Sequence, residues 1–166
     1  MSASHSGTGG LRIREAVRAV VLDPEDRVLL VRFEFPNVGT RWALPGGGLE
    51  PGESDHEALR RELAEEAGLT EFEIGPHVWS RLHVIPFLDG RYDGQRERVY
   101  VVRTAAFDPQ PALTWEQLES EYVFGLQWWH ADDLHDQLPI APAALAFHLR
   151  ALLLDGPPKQ PVDVGV

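Results

Sequence analysis

Residues 45–68 constrain the fold of this chain more than any other part of its sequence. Three consecutive glycines follow Pro45, and they let the backbone turn sharply and approach a ligand closely. Ser54 and Glu57 then have the spacing of a helix capping box, and Gly68 is placed to end the helix. We therefore predict a glycine-rich loop that runs directly into a helix ending before Gly68.

The predicted helix carries three glutamates on one side. At about 100° per residue, Glu62, Glu65 and Glu66 fall within an arc of about 100°. Leu59 and Leu63 lie beside this arc, so we expect the acidic side chains at the edge of a buried face. Such a face alone is more often an ordinary solvated surface. The glycine loop before it favours a metal site, since a hard divalent cation binds carboxylate oxygens and relieves their repulsion.

The loop and helix together resemble the Nudix box. Gly47 is followed after five residues by Glu53, and after seven more by Arg61, as in that pattern. The pattern then requires Glu and an aliphatic residue, two glutamates, and a glycine before a second aliphatic residue. Every specified position matches: Gly47, Glu53, Arg61, Glu62, Leu63, Glu65, Glu66, Gly68 and Leu69. The order of predicted elements also resembles the family's α/β (α+β) fold, an α/β/α sandwich around a mixed β-sheet.

The resemblance implies a role for each polar residue of the box. The three helix glutamates would bind a divalent cation, Mg²⁺ or Mn²⁺, and one of them would serve as general base. The carbonyl of Gly47 would be a further metal ligand, or this glycine would permit the path of the loop. Arg61 would orient the glutamates, and Glu53 would support the junction between loop and helix. Which glutamate is the base stays open.

The reaction that the resemblance implies is hydrolysis of a phosphoanhydride bond in a nucleoside diphosphate linked to another moiety. Nucleoside triphosphates, oxidised nucleotides, ADP-ribose, sugar nucleotides and dinucleoside polyphosphates all stay open as substrates. A nucleotide-sensing module of the same fold, without hydrolytic activity, is the alternative. Such modules often have an eroded box, whereas this box is intact. An isoprenoid diphosphate isomerase is disfavoured because it normally needs a catalytic cysteine, and the sequence contains none.

Several residues outside the box are candidates for substrate binding. The resemblance implies a further carboxylate from the region before the last helix, and Glu116, Glu119 and Glu121 are available there. Of these we favour Glu119 and Glu121; Glu97, at the start of a predicted strand, is another candidate. Trp42 could stack on a nucleotide base, although a single aromatic residue more often belongs to the core.

Charge and composition limit the partners that we expect. The 166 residues include 15 Lys and Arg against 26 Asp and Glu, a net charge of −11. Because polyanions and anionic membranes need a basic surface, we expect a small nucleotide-type substrate, no polymeric nucleic acid and no membrane. Residues 1–10 lack the features of a secretory signal, which favours a cytoplasmic location. The resemblance is compatible with a homodimer, but the composition identifies no interface.

We predict one Nudix hydrolase domain over residues 11–155, between flexible tails at 1–10 and 156–166. The expected order starts with a hairpin of two strands and a loop before the box helix. Later strands and a C-terminal helix follow. The predicted bounds are 17–22 and 27–33 for the hairpin, 34–41 for the loop, 71–84, 97–104 and 127–130 for later strands, 115–120 for a short helix or turn, and 142–154 for the last helix.

Overall fold

Nine strands form one mixed sheet in the computed structural model, which describes residues 10–166. The predicted tail at 1–10 lies outside this range except for its last residue. The strands are β1 (Ile13–Leu22), β2 (Val28–Phe35), β3 (Gly39–Ala43), β4 (Gly46–Gly48), β5 (Glu73–His83), β6 (Gly94–Arg103), β7 (Val123–Trp129), β8 (Ile140–Ala141) and β9 (Val162–Asp163). The helices are α1 (Asp55–Ala67), α2 (Trp115–Ser120) and α3 (Leu145–Asp155), with a 3-10 turn at Ala131–Asp133.

The central strand β1 separates two hydrophobic layers. Its side chains alternate between the faces of the sheet, so that Val17 and Val21 pack with α1, whereas Val20 and Leu22 pack with α3. All four are fully buried. Strand β6 runs parallel to β1, while β2 and β4 run antiparallel to it. The predicted α/β/α sandwich around a mixed sheet is confirmed.

Both predicted caps hold helix α1 in place. The side chain of Ser54 accepts a hydrogen bond from the N–H of Glu57 at 3.1 Å, and the Glu57 carboxylate accepts one from the N–H of Ser54. At the other end Gly68 has φ of 70°, and its N–H donates to the carbonyl of Ala64 at 3.0 Å. A side chain at Gly68 would collide with the carbonyl oxygen of Gln110. The helix register, and with it the position of the glutamates, is defined from both ends.

The segment between β2 and the box contains more strand than the sequence predicted. A loop over 34–41 is wrong in part, because β2 and β3 form an antiparallel hairpin there. Glu34 pairs with Thr40, whose hydroxyl lies 2.8 and 2.9 Å from the two carboxylate oxygens of Glu34. The turn signal of Pro36 applies only to the tip of this hairpin. The glycines Gly46–Gly48, expected in a loop, form β4 and pair with β1.

The C-terminal residues differ from the flexible tail predicted over 156–166. Val162–Asp163 form β9, which pairs in parallel with the edge of β5. Val164 is 5% exposed, and its N–H donates to the carbonyl of Ser80 at 3.0 Å. Prolines and glycines in this segment predicted a tail because they disfavour regular structure. The free edge of β5 supplies hydrogen-bond partners and a buried position that the sequence pattern does not reveal.

The remaining predicted elements are present with shifted ends. The first two strands form the expected hairpin, and the later strands and both later helices lie at or near their predicted positions. The last helix begins three residues later than predicted, at Leu145 instead of Pro142. Within residues 10–166, no helix combines the length and the apolar character needed to cross a membrane.

Candidate active site

The glycine strand β4 and helix α1 meet at the candidate site. Strand β4 is held by antiparallel pairing with β1, and the N–H of Gly46 donates to Glu66 Oε1 at 2.8 Å. A Cβ atom at Gly47 would lie 2.5 Å from Glu62 Oε1, far inside van der Waals contact. Only a glycine therefore lets the backbone come this close to the Glu62 carboxylate.

Arg61 connects the acidic residues around it. Its Nε and Nη2 donate to the two carboxylate oxygens of Glu53 at 2.8 and 2.9 Å. Its Nη1 donates to Glu62 at 2.9 Å and to Glu65 at 3.4 Å. Nη2 also donates to the carbonyl of Gly48 at 3.0 Å. One guanidinium thus joins the loop, the loop–helix junction and two of the helix glutamates.

Burial gives the carboxyl groups of the box different pKa values. Burial first, and then the charge of Glu62, raises the pKa of Glu66 to about 8. Burial also raises the pKa values of Glu62 and Glu65, although the positive charge of Arg61 opposes this. Hydrogen bonds from Arg61 lower the pKa of Glu53 to about 2. Glu53 is therefore firmly charged, whereas negative charge on the three helix glutamates is disfavoured by their surroundings.

The predicted carboxylates outside the box lie on or next to α2. The chain before α2 packs on the end of α1, where the N–H of Leu113 donates to the carbonyl of Glu65 at 3.2 Å. Glu121 caps the end of α2, and its negative charge adds to the effect of burial in raising the pKa values of Glu65 and Glu66. Glu119 and Glu121 are both exposed. The influence of its charge on the box glutamates favours Glu121 of the two.

Trp42 and Glu97 lie on the side of the sheet that faces α3. The rings of Trp42 and Trp129 meet edge to face with centroids 5.2 Å apart, and both pack against the core. Glu97 is 5% exposed, and its carboxylate lies 3.2 Å from Arg18 and 3.4 Å from Arg81. Burial alone would raise the pKa of Glu97, but the two arginines hold it below its usual value. Glu97 is thus engaged by arginines in this structure.

Arg18 is a residue of the site that the sequence reasoning missed. Its Nη1 donates to the carbonyls of Leu44 and Gly46, each at 3.1 Å. It therefore holds the peptide segment whose Gly46 N–H binds Glu66. A signal was available: Arg18 interrupts the otherwise apolar run at 17–22, and a charged residue in such a run needs a partner or a function.

The family model described as the NUDIX domain matches residues 12–150. The chain belongs to the Nudix family. An RNA pyrophosphohydrolase from Novosphingobium aromaticivorans is 30% identical to this Nudix hydrolase over an alignment of 132 positions, and the match covers 69% of this chain and 82% of that protein. The nucleoside triphosphatase NudI from Escherichia coli is 45% identical over 114 residues, 66% of this chain and 74% of that protein.

Solved structures share the fold of this Nudix hydrolase. The solution structure of the E. coli ORF135 protein has 25% sequence identity and a TM-score of 0.59, covering 88% of this chain and 94% of that one. The crystal structure of a MutT protein from Methanosarcina mazei Go1 has a TM-score of 0.63 at 17% identity. That match covers 88% of this chain and 99% of the other.

The donor atoms of this Nudix hydrolase fit a hard divalent cation. Glu62 and Glu66 place carboxylate oxygens beside the backbone of the glycine loop, and Mg²⁺ prefers such oxygen ligands. Two buried carboxylates repel each other, and a cation between them would remove that cost. Within residues 10–166, no three acidic or histidine side chains are already gathered into a complete ligand cluster. Arg61 contacts Glu62 and Glu65 in this structure, so a cation would compete with it for these carboxylates.

Proposed function

We propose that this Nudix hydrolase cleaves a phosphoanhydride bond of a nucleotide with the help of Mg²⁺ or Mn²⁺. The ligands of the cation would come from Glu62, Glu65, Glu66 and the carbonyl of Gly47. The observation that carries the proposal is the position of the buried Glu62 and Glu66 carboxylates against the glycine loop. When bound there, the cation supplies positive charge to the phosphate oxygens and makes the attacking water more acidic.

The protein groups around this site would hold the ligands and accept a proton. The Gly46 N–H orients one oxygen of Glu66, and Arg61 orients Glu62 and Glu65. A general base works best when its pKa lies near the working pH, and all three helix glutamates have raised pKa values. One of them therefore takes the proton of the attacking water. The charged Glu53 keeps Arg61 in place.

The relatives support a nucleotide as the substrate. One is an RNA pyrophosphohydrolase and another a nucleoside triphosphatase, so each is named for action on a nucleotide or on RNA. A net charge of −11 is compatible with such a substrate if a cation supplies local positive charge. The homodimer and the cytoplasmic location stay predictions.

A substrate panel with and without metal tests the proposal. The panel contains nucleoside triphosphates, oxidised nucleotides, ADP-ribose, sugar nucleotides and dinucleoside polyphosphates, and the products are separated by ion-exchange chromatography. We expect release of phosphate, pyrophosphate or a nucleoside monophosphate from at least one class in Mg²⁺, and none in EDTA. Nucleotide binding without turnover in Mg²⁺ would contradict the proposal and favour a sensing module.

A further inference from the structure

Three arginines line one face of the sheet next to the glycine loop. Arg14 and Arg18 lie on β1 and Arg81 on β5, and the strand register places them on the same face as Glu97 of β6. We call these three residues the arginine row. Among residues 10–166, Glu97 is the one carboxylate within salt-bridge distance of the row, and it contacts Arg18 and Arg81. Two of the three positive charges thus share one negative partner, and Arg14 has no carboxylate within salt-bridge distance among residues 10–166.

Arg14 is the member of the row with the most unused hydrogen-bond donors. Its guanidinium lies so close to the backbone that a Cβ atom at Gly48 would collide with it. Its Nη1 donates to Gln95 Oε1 at 3.3 Å, and its Cζ lies 5.7 Å from the centroid of the Phe87 ring. A guanidinium has five N–H donors, and this is the hydrogen bond that the Arg14 side chain makes within residues 10–166. Burial and the neighbouring Arg18 lower the pKa of Arg14, and Glu62 opposes this only in part.

A hydrogen-bond network connects the arginine row with the glycine loop. Gln95, which binds Arg14, donates to Glu97 at 2.7 Å. Glu97 accepts a hydrogen bond from Arg18 at 3.2 Å, and Arg18 in turn donates to the carbonyl of Gly46 at 3.1 Å. Buried groups that satisfy one another in this way hold a defined geometry. The free donors of Arg14 are therefore presented from a fixed position beside the proposed metal site.

Two side chains of opposite charge lie against adjacent glycines of the loop. The Glu62 carboxylate lies against Gly47, and the Arg14 guanidinium lies against Gly48. The charge of Glu62 is near enough to oppose the lowering of the pKa of Arg14 by burial and by Arg18. In the proposed function a cation binds Glu62. The negative charge of Glu62 then offsets less of the positive charge of Arg14. A phosphate chain that starts at the cation would meet Arg14 next.

We infer that Arg14 binds a terminal phosphate of the substrate. This inference rests on the proposed function and names its substrate class: nucleotides that end in a free phosphate next to the bond that is cleaved. Nucleoside 5′-triphosphates and 5′-triphosphorylated RNA ends share this group. A terminal phosphate carries about 1.5 to 2 negative charges and three acceptor oxygens, which suit the planar fork of an arginine. The phosphates of ADP-ribose are substituted on both sides and lack this group.

Two variants of Arg14 and one matched control test the inference. Arg14→Gln removes the charge and the fork, and Arg14→Lys keeps the charge alone. Arg96→Gln is the control, since Arg96 lies next to Gln95 but contacts Glu15 at 3.4 Å on the other face of the sheet. The value of kcat/KM is measured for a nucleoside triphosphate, a short 5′-triphosphorylated RNA and ADP-ribose.

We expect Arg14→Gln to lower kcat/KM about 10- to 100-fold on substrates with a terminal phosphate, the range of a charge-assisted hydrogen bond. Arg14→Lys should recover part of this loss. ADP-ribose hydrolysis and the control variant should stay close to wild type. Activity on the free nucleotide or on the RNA shows which source of the terminal phosphate the enzyme accepts. If Arg14→Gln lowered kcat/KM by the same factor on all three substrates, the inference would be overturned.

A binding measurement distinguishes failure of this inference from failure of the proposed function. The dissociation constant of an α,β- and β,γ-bismethylene nucleoside triphosphate, in which neither anhydride bond can be hydrolysed, is measured by calorimetry in Mg²⁺. We expect weaker binding by about 10- to 100-fold in Arg14→Gln but not in Arg96→Gln. Wild-type protein that binds this probe through Arg14 but hydrolyses nothing would refute the proposed function and uphold the inference. Equal affinities in wild type and Arg14→Gln, or no binding at all, would overturn the inference.

Discussion

Glu66 is 3% exposed, and its carboxyl group lies near that of Glu62, which is 8% exposed. Burial and this neighbour raise the pKa of Glu66 from 4.5 to about 8 on folding. Between these two values the folded protein binds a proton that the unfolded chain releases, so stability falls as the pH rises. Without metal, Glu66 is therefore neutral and tolerated in the folded protein at pH 5, whereas near pH 8 it becomes charged and destabilises the fold.

Thermal unfolding in EDTA tests this linkage. We expect the wild-type Tm to decrease from pH 5 to pH 8. The decrease should be smaller for Glu66→Gln, because glutamine stays neutral over this range. For a chain of this size, 1 kcal/mol corresponds to roughly 2–4 °C in Tm. Glu119→Gln, an exposed control, should keep the wild-type pH dependence. The same slope for wild type and Glu66→Gln would show that the charge of Glu66 is not destabilising.

The two candidate carboxylates at α2 can be ranked by their effect on the box. Both side chains are exposed, but the charge of Glu121 contributes to the raised pKa values of Glu65 and Glu66. If Glu121 supports the metal site, Glu121→Gln should lower turnover about 10- to 100-fold, as loss of a supporting contact to a metal ligand does. Steady-state rates over a range of Mg²⁺ concentrations measure this. A larger effect of Glu119→Gln would reverse the ranking.

Strand β4 and helix α1 form the structural unit of the site. Each element is placed by contacts outside the other: β1 pairs with β4, and the two caps define α1. The site therefore depends on the close approach of the β4 backbone to the glutamate side chains of α1. An added side-chain atom on a β4 glycine would disturb this approach.

Gly47→Ala probes this approach directly. The new Cβ would lie 2.5 Å from Glu62 Oε1, so the carboxylate or the loop must move. We expect turnover to fall about 10- to 100-fold while the circular dichroism spectrum stays that of the wild type. Gly125→Ala is the control, because its Cβ would meet only Arg32 at 3.5 Å, an ordinary contact. Wild-type turnover in Gly47→Ala would mean that Glu62 need not lie against the loop.

The C-terminal cap of α1 makes a separate prediction about stability. Gly68 has φ of 70°, and a side chain there would also collide with the carbonyl of Gln110. Gly52 has φ of 82° with open space around it, so Gly52→Ala measures the backbone strain alone. We expect both variants to lower the free energy of unfolding by about 1–2 kcal/mol through strain, and Gly68→Ala by more. If urea denaturation gave the same decrease in the free energy of unfolding for Gly68→Ala and Gly52→Ala, the collision with Gln110 would be contradicted.

Across the whole molecule, local signals predicted the box helix and distant contacts determined the rest. Ser54, Glu57 and Gly68 act within a few residues of the helix they cap, so their pattern is readable from the sequence. The spacing of the box glutamates likewise follows from the period of the helix. The hairpin of β1 and β2 was readable from its apolar runs and turn residues.

The elements that the sequence did not reveal depend on a partner far along the chain. Strand β4 consists of glycines, which carry no side-chain pattern, and it forms because β1 pairs with it. Strand β9 forms because β5 has a free edge. The contact of Arg18 with Glu97 joins residues 79 positions apart. No periodic pattern within one segment encodes such pairs, so the arginine row emerged only in the structure.

The Mg²⁺ dependence of turnover in Glu66→Gln tests the central claim most directly. The rate on the best substrate of the panel is measured from zero to saturating Mg²⁺ for wild type, Glu66→Gln and Glu71→Gln, a control at an exposed glutamate outside the site. We predict that Glu66→Gln loses about 100-fold or more in kcat, since several kcal/mol of transition-state stabilisation depend on the cation. The control should keep its rate and its Mg²⁺ requirement. Wild-type turnover in Glu66→Gln, or wild-type turnover that needs no divalent cation, would contradict a metal site built on the box glutamates.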